Sequence, residues 1–250
     1  MHETGANHSL HAWFYNEYYQ AVTTSQAHAR FCEQVYGINL AQHGMADMPQ
    51  LRALMHELHL QPGMSLLDFG CGDGQISEYI ADQYNLVVSG VDIAEQALKF
   101  AHSRTKEKRS HLRFYHADIE RETGNFPGQT FDGIIAIDSL RFTNNQQIVI
   151  EKLLNHLRPD GRMGIFYHCS DRLAAEETTL ALALHKLNAG DYTLDFTQQN
   201  AEHWEKKKKV LKELEPEFHL EGSDFLFRNR LAECTGMERA RRYLFIIQQK

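Results

Sequence analysis

Cysteine is scarce in this chain, with four in 250 residues, at positions 32, 71, 169 and 234. None are spaced as a metal knuckle or a disulfide framework, which suits a reducing cytoplasm. No run of 18 apolar residues occurs, so no membrane-spanning helix is expected. Residues 1–5, Met-His-Glu-Thr-Gly, lack the basic stretch and apolar core of a secretory signal. Basic excess is missing too. The formal net charge of −7 argues against general nucleic-acid binding. The fifteen histidines form no His-Glu-x-x-His or His-x-His cluster, so no metal is expected. Repeats and low-complexity tracts are absent.

What remains is ordinary globular composition, 42% apolar and 24% charged, in a length that one domain over 1–250 accommodates. Residues 66–74 read Leu-Leu-Asp-Phe-Gly-Cys-Gly-Asp-Gly. The apolar run from Met64 to Leu67 predicts a buried parallel strand. It meets Asp68 and then glycines at alternate positions, Gly70, Gly72 and Gly74. Ile76, Tyr79 and Ile80 follow at helical spacing. A strand, a glycine turn and a helix N-terminus let a ligand sit against bare backbone N–H groups. The dinucleotide fingerprint would require glycine at position 75. Gln75 stands there, which disfavours a dehydrogenase. A second strand over 86–92 ends in Asp92, an acid placed to accept from two ribose hydroxyls. A third over 112–118 ends in Asp118, and a fourth covers 131–138. A turn at 157–161 leads into a fifth at 162–167. Strands alternating with helices from 64 to 168 demand an α/β fold, a parallel sheet covered on both faces.

In this order and spacing, Asp68 with its three glycines, Asp92, Ala117-Asp118-Ile119, Phe131-Asp132 and the 157–161 turn resemble the class I S-adenosylmethionine-dependent methyltransferases over roughly residues 60–170. Asp160 departs from the glycine that many relatives carry, at little cost, because Asp suits turns. Residues 30–37 and Gln42-His43-Gly44 resemble the N-terminal helices of small-molecule methyltransferases in the style of the phosphoethanolamine, sarcosine and isoprenoid-diphosphate enzymes. The resemblance implies a Rossmann-like, doubly wound, mostly parallel seven-stranded sheet. It also implies S-adenosyl-L-methionine as cofactor and S-adenosyl-L-homocysteine as its product. By that likeness Gly70, Cys71, Gly72 and Gly74 form the loop against the methionine part, and Gln75 reaches the same group. Asp68 meets the methionine amino group or pins the loop. Asp92 takes the ribose, and Asp118, beside Ala117, takes the adenine amino group. Ile93 and Ile119 sandwich the ring, and Ile137 and Asp138 lie near the sulfonium.

Residues 11–60 read as cap helices, 61–170 as the cofactor-binding core, and 171–250 as a C-terminal half. That half holds helices at 173–187, 197–214 and 218–235, and strands at 192–196 and 243–248. The 197–235 excursion is the second half of a lid. Residues 1–10 are expected to be loose. Lys206 to Lys209 read as a solvated face, paired with Glu202 and Glu205. On the acceptor side, ligands belong beyond the carboxyl ends of the strands. This selects Asp138, Ser139, Arg141, His168 and Ser170, with Tyr15, Tyr18, Tyr19, His43 and Trp204 from the lid. Arg141 would clamp a carboxylate or phosphate, and His43 or His168 would serve as general base. The tyrosines suit an ammonium cage, although at least one is expected in the core. With His43, His168, Tyr19 and Arg141 as catalytic candidates, the expected function is methyl transfer to a small-molecule acceptor, N-methylation favoured. A cyclopropane-synthase-like chemistry and an inactive cofactor-binding protein are the alternatives. Neither the acceptor nor the oligomeric state is readable from sequence.

Overall fold

The computed structural model describes residues 3–170, 172–190, 192–237 and 239–249. Three helices come first: α1 (Glu3–Val22), α2 (Gln26–Tyr36) and α3 (Met48–Glu57). Helix α1 therefore takes in residues expected to be loose. The Ser25 and Asp47 side chains accept the N–H groups of His28 and Gln50 and so start α2 and α3. The alternating core follows: β1 (Ser65–Phe69), α4 (Gln75–Tyr84), β2 (Val87–Asp92), α5 (Glu95–Arg104), β3 (Leu112–Asp118), a two-residue β4 (Thr123–Gly124), β5 (Phe131–Ile137), α6 (Gln146–Asn155) and β6 (Leu157–Cys169). The rest is α7 (Thr179–Lys186), β7 (Tyr192–Asp195), α8 (Thr197–Leu220), α9 (Asp224–Met237) and β8 (Arg241–Gln248).

The sheet runs β4-β3-β2-β1-β5-β6-β8-β7. Strands β3, β2, β1, β5 and β6 are parallel, and β8 turns antiparallel between β6 and β7. The eighth strand beyond the expected seven is β4, a short antiparallel rung on Ala117 and Asp118. Strand order reverses between β1 and β5, which opens a crevice at their carboxyl ends. The expected turn at 157–161 is absorbed into β6 as an irregularity. Pairing jumps from Phe131↔Leu157 to Gly133↔Arg162, with Asp160 at φ +63°. The helix expected over 173–187 is shorter: a 3-10 turn at Ala175–Glu177, then α7, started by the Thr178 hydroxyl.

Both sheet faces are buried. Val149, Ile150, Leu153 and Leu180 of α6 and α7 cover one, and Leu54, Ile80 and Leu98 of α3, α4 and α5 cover the other. A third apolar cluster belongs to the lid: Phe31 and Val35 of α2, Tyr18 of α1, and Trp204, Leu211 and Phe218 of α8. The lysine run is not uniformly solvated. Lys207 is fully buried against the Trp204 ring, 4.1 Å from its centroid, and Tyr36. Glu205 pairs with Lys208 and Glu213 with Lys209, rather than in the expected combinations.

Candidate active site

A cavity of about 490 Å³ lies at the crevice, roofed by α1, the 40–46 loop, α8 and α9. The ends of the strands build its floor. Gly70 and Gly72 have φ of +80° and +57°. A Cβ on Gly70 would stand 2.3 Å from Ser139 Cβ, and one on Gly72 would stand 2.0 Å from the Tyr19 hydroxyl. Glycine is needed at both places for the backbone turn and for the closeness of its neighbours.

Acids surround the half of the cavity beside this loop. Asp92 accepts the Gly72 and Ala94 N–H groups, each at 2.7 Å. Burial raises its pKa. Burial also pushes Asp68 up to about 7, against the 2.6 Å hydrogen bond from Ser77. Asp118 accepts from the N–H groups of Glu120 and Arg121. Gly70, Cys71, Ile93, Ala117, Ile119 and Ile137 line the same wall. Gly72, Gly74 and Gln75 are not in the lining. The Gln75 amide donates to Asp73 Oδ2 at 2.7 Å, so Gln75 stands behind Asp73 in place of lining the cavity itself as expected. The residue that does line the cavity there is Asp73, which the sequence did not single out. The donor set fits an adenosine ligand with a cationic tail. Its carboxylates suit hydroxyls and an ammonium, and Gly70 leaves bare backbone where a side chain would block contact.

The other half is built differently. Asp138, at φ +58°, lines the cavity, but its oxygens are committed. Arg242 of β8 donates to both, at 2.6 and 3.1 Å, and the Met45 N–H donates at 2.9 Å. Burial opposes its ionisation, yet Arg242 and His168 outweigh it and hold the carboxyl far below the usual range. Asp138 is thus a joint between core and lid rather than a free group beside a sulfonium. His168 is corrected similarly. Its Nδ1 lies 3.3 Å from Asp138, and its Nε2 lies 2.5 Å from Arg141, so neither nitrogen is free to take a proton from a substrate. Burial, chiefly, lowers its pKa. Arg141 stands at the mouth, packed on the Phe142 ring, with no carboxylate at ion-pair distance among the described residues.

From the lid, Phe14, Tyr15, Tyr19, His43, Trp204, Asn229 and Glu233 face the cavity. Tyr19 rests on the glycine loop, at the acid-lined end. Tyr18 is the tyrosine in the core, fully buried and bonded to His28 and Arg230. Ser170 is outside the lining. His43 is neutral, its pKa lowered by burial to about 4. Glu233 keeps a pKa of about 2: burial opposes ionisation, but Arg230 and Lys207 prevail. Glu233, Arg230, Lys207 and Arg242 gave no separate signal in the sequence.

Residues 66–161 match the model of a methyltransferase domain. Phosphoethanolamine N-methyltransferase 1 of Zea mays is 27% identical over 137 residues, 55% of this chain and 26% of that protein. The matched segment thus spans about a quarter of the length of the first curated relatives. Among solved structures, phosphoethanolamine N-methyltransferase 2 of Haemonchus contortus, in complex with phosphomonomethylethanolamine and S-adenosylhomocysteine, superposes with a TM-score of 0.75 at 16% identity. It covers 88% of this chain and 56% of that one. The cyclopropane synthase MmaA2 of Mycobacterium tuberculosis gives 0.72 at 16% identity, covering 94% and 98%. At that identity the likeness is one of fold. With the strand order, it shows that the chain has the fold of these S-adenosylmethionine-dependent enzymes, and residues 66–161 within it match a methyltransferase domain.

Proposed function

We propose that the chain transfers a methyl group from S-adenosylmethionine to a small-molecule acceptor, with nitrogen favoured as the atom methylated. The observation that carries this reading is the single cavity that joins an acid-lined trough over the glycine loop to an aromatic chamber under the lid. The cofactor, when bound, supplies an electrophilic methyl group. Asp92 would hold the ribose, Asp118 the adenine and Asp68 the methionine ammonium, and Gly70 would let the backbone approach. The chain's task is then to align the acceptor and keep water away. Tyr15, Phe142 and Trp204 do the second.

The names of the relatives support an amine acceptor, and Arg141 supports an acceptor with an anionic group. We further read 1–250 as one methyltransferase unit acting in the cytoplasm on small molecules rather than nucleic acid. Among the described residues no helix is long and apolar enough to cross a membrane. Calorimetry should show micromolar binding of S-adenosylmethionine and S-adenosylhomocysteine and none of NAD. The converse result overturns the reading. Incubation with methyl-labelled cofactor and a metabolite extract then identifies the acceptor by its label.

A further inference from the structure

Three side chains at the acceptor end stand in series. Glu233 of α9 is held ionised by Arg230 and Lys207, both fully buried. Its Oε1 lies 3.2 Å from His43 Nε2. That approach is not an aligned hydrogen bond, and Nε2 has no hydrogen-bond partner among the described residues. The other ring nitrogen, Nδ1, lies 3.3 Å from the Tyr15 hydroxyl. The rings of Phe14, Tyr15 and Tyr18 meet the imidazole edge-on at 5.7, 5.0 and 4.7 Å. Arg230 grips the His43 carbonyl. The ring is boxed in, and its tautomer follows from its neighbours.

A bare nitrogen lone pair facing a carboxylate at 3.2 Å is repelled, whereas an N–H is attracted. The imidazole proton therefore sits on Nε2, and Nδ1 is the acceptor. Tyr15 must then donate its hydroxyl proton inward to Nδ1. Only its oxygen lone pairs remain for the cavity, which Tyr15 and Glu233 both line. The rings of Phe142 and Tyr19 stand 5.5 and 6.2 Å from that of Tyr15. An oxygen acceptor among aromatic rings, in a cavity that the Glu233 carboxylate also lines, is a seat for an ammonium group that still carries an N–H.

We propose that Glu233, acting through His43, is a positioning residue that fixes the Tyr15 hydroxyl as a hydrogen-bond acceptor and so builds an ammonium subsite selective for N–H-bearing acceptors. This rests on the methyl-transfer reading and names the end of the acceptor that enters first. The acceptor docks here as an ammonium and gives one N–H proton to solvent before its nitrogen lone pair attacks the methyl carbon. The fully methylated product has no N–H left to offer Tyr15, which gives the site a way to let go.

The test uses the whole protein loaded with S-adenosylhomocysteine and a probe series of methyl-, dimethyl-, trimethyl- and tetramethylammonium. The first three are expected to bind at least about tenfold more tightly than tetramethylammonium, the scale of one hydrogen bond between charged and neutral partners. Tyr15→Phe removes a hydroxyl that, among the described residues, is hydrogen-bonded to His43. It should level the series and leave S-adenosylhomocysteine affinity intact. Glu233→Gln can donate to Nε2, so it should move the proton to Nδ1 and also level the series, with nitrogen-15 shifts of His43 reporting the move. A parent protein with the proton on Nδ1, no discrimination in the series, or discrimination that survives Tyr15→Phe overturns the proposal. Failure to bind S-adenosylhomocysteine at all overturns the methyl-transfer reading instead.

Discussion

Each oxygen of the Asp92 carboxylate accepts one backbone N–H, Oδ2 from Gly72 and Oδ1 from Ala94, and the residue borders the cavity. Asp92→Ala should weaken S-adenosylmethionine binding by about 10- to 100-fold, given roughly 1.5–3 kcal/mol for each hydrogen bond to a charged group. The fold should persist, as circular dichroism can check. Asp68 titrates near 7 in the folded chain, above the ordinary carboxylate value. Its raised pKa favours the protonated form, so in the free protein this group's contribution to stability falls as pH rises from about 4 to 7. Its ionised form is the one that attracts an ammonium. Affinity for S-adenosylhomocysteine should therefore rise about tenfold between pH 6 and 8, following the ionised fraction. Asp68→Asn should flatten that slope in calorimetry. Arg141→Ala separates two partners. Lost cofactor affinity points to the methionine carboxylate, and a raised acceptor KM at unchanged cofactor affinity points to the acceptor. No change in either discards the anionic-acceptor idea.

Between elements, buried arginines tie distant parts of the chain together. Arg242 of β8 meets Asp138 after β5, and Arg230 of α9 meets the 42–43 carbonyls. Asp138→Ala leaves Arg242 buried and unpaired and should cost about 3–5 kcal/mol in urea denaturation. Asp138's pKa is depressed in the fold, so its contribution is complete above about 4 and is lost as pH falls below that. Lys207→Ala should cost about 3 kcal/mol, the low end of that range because Arg230 still faces Glu233. Lys206→Ala and Lys209→Ala should stay within about 0.5 kcal/mol. These ties explain what sequence reading could reach. Asp92 and Asp118 were legible because each closes an apolar strand at a fixed step from the glycine loop. Glu233 and Arg242 were not, because Glu233 takes its role from Lys207 and His43 as well as nearby Arg230, and Arg242 takes its role from Asp138, all but Arg230 far off in the chain. Lys207 was concealed further, since its neighbours on either side are lysines that do face water.

At the scale of the whole molecule, the cavity has two sources. The acid-lined half comes from the loops after β1, β2 and β3. The aromatic half comes from α1, the 40–46 loop, α8 and α9. The Asp138 carboxylate, with Met45 on one side and Arg242 on the other, is where the two meet. Such a seam lets the two halves follow separate histories. Helices over the acceptor can be exchanged, and taste for a new molecule acquired, while the loops that grip the common donor are inherited unchanged. A chimera that swaps the lid but keeps Asp138, Arg242 and a backbone N–H at position 45 is the one most apt to keep its grip on the donor.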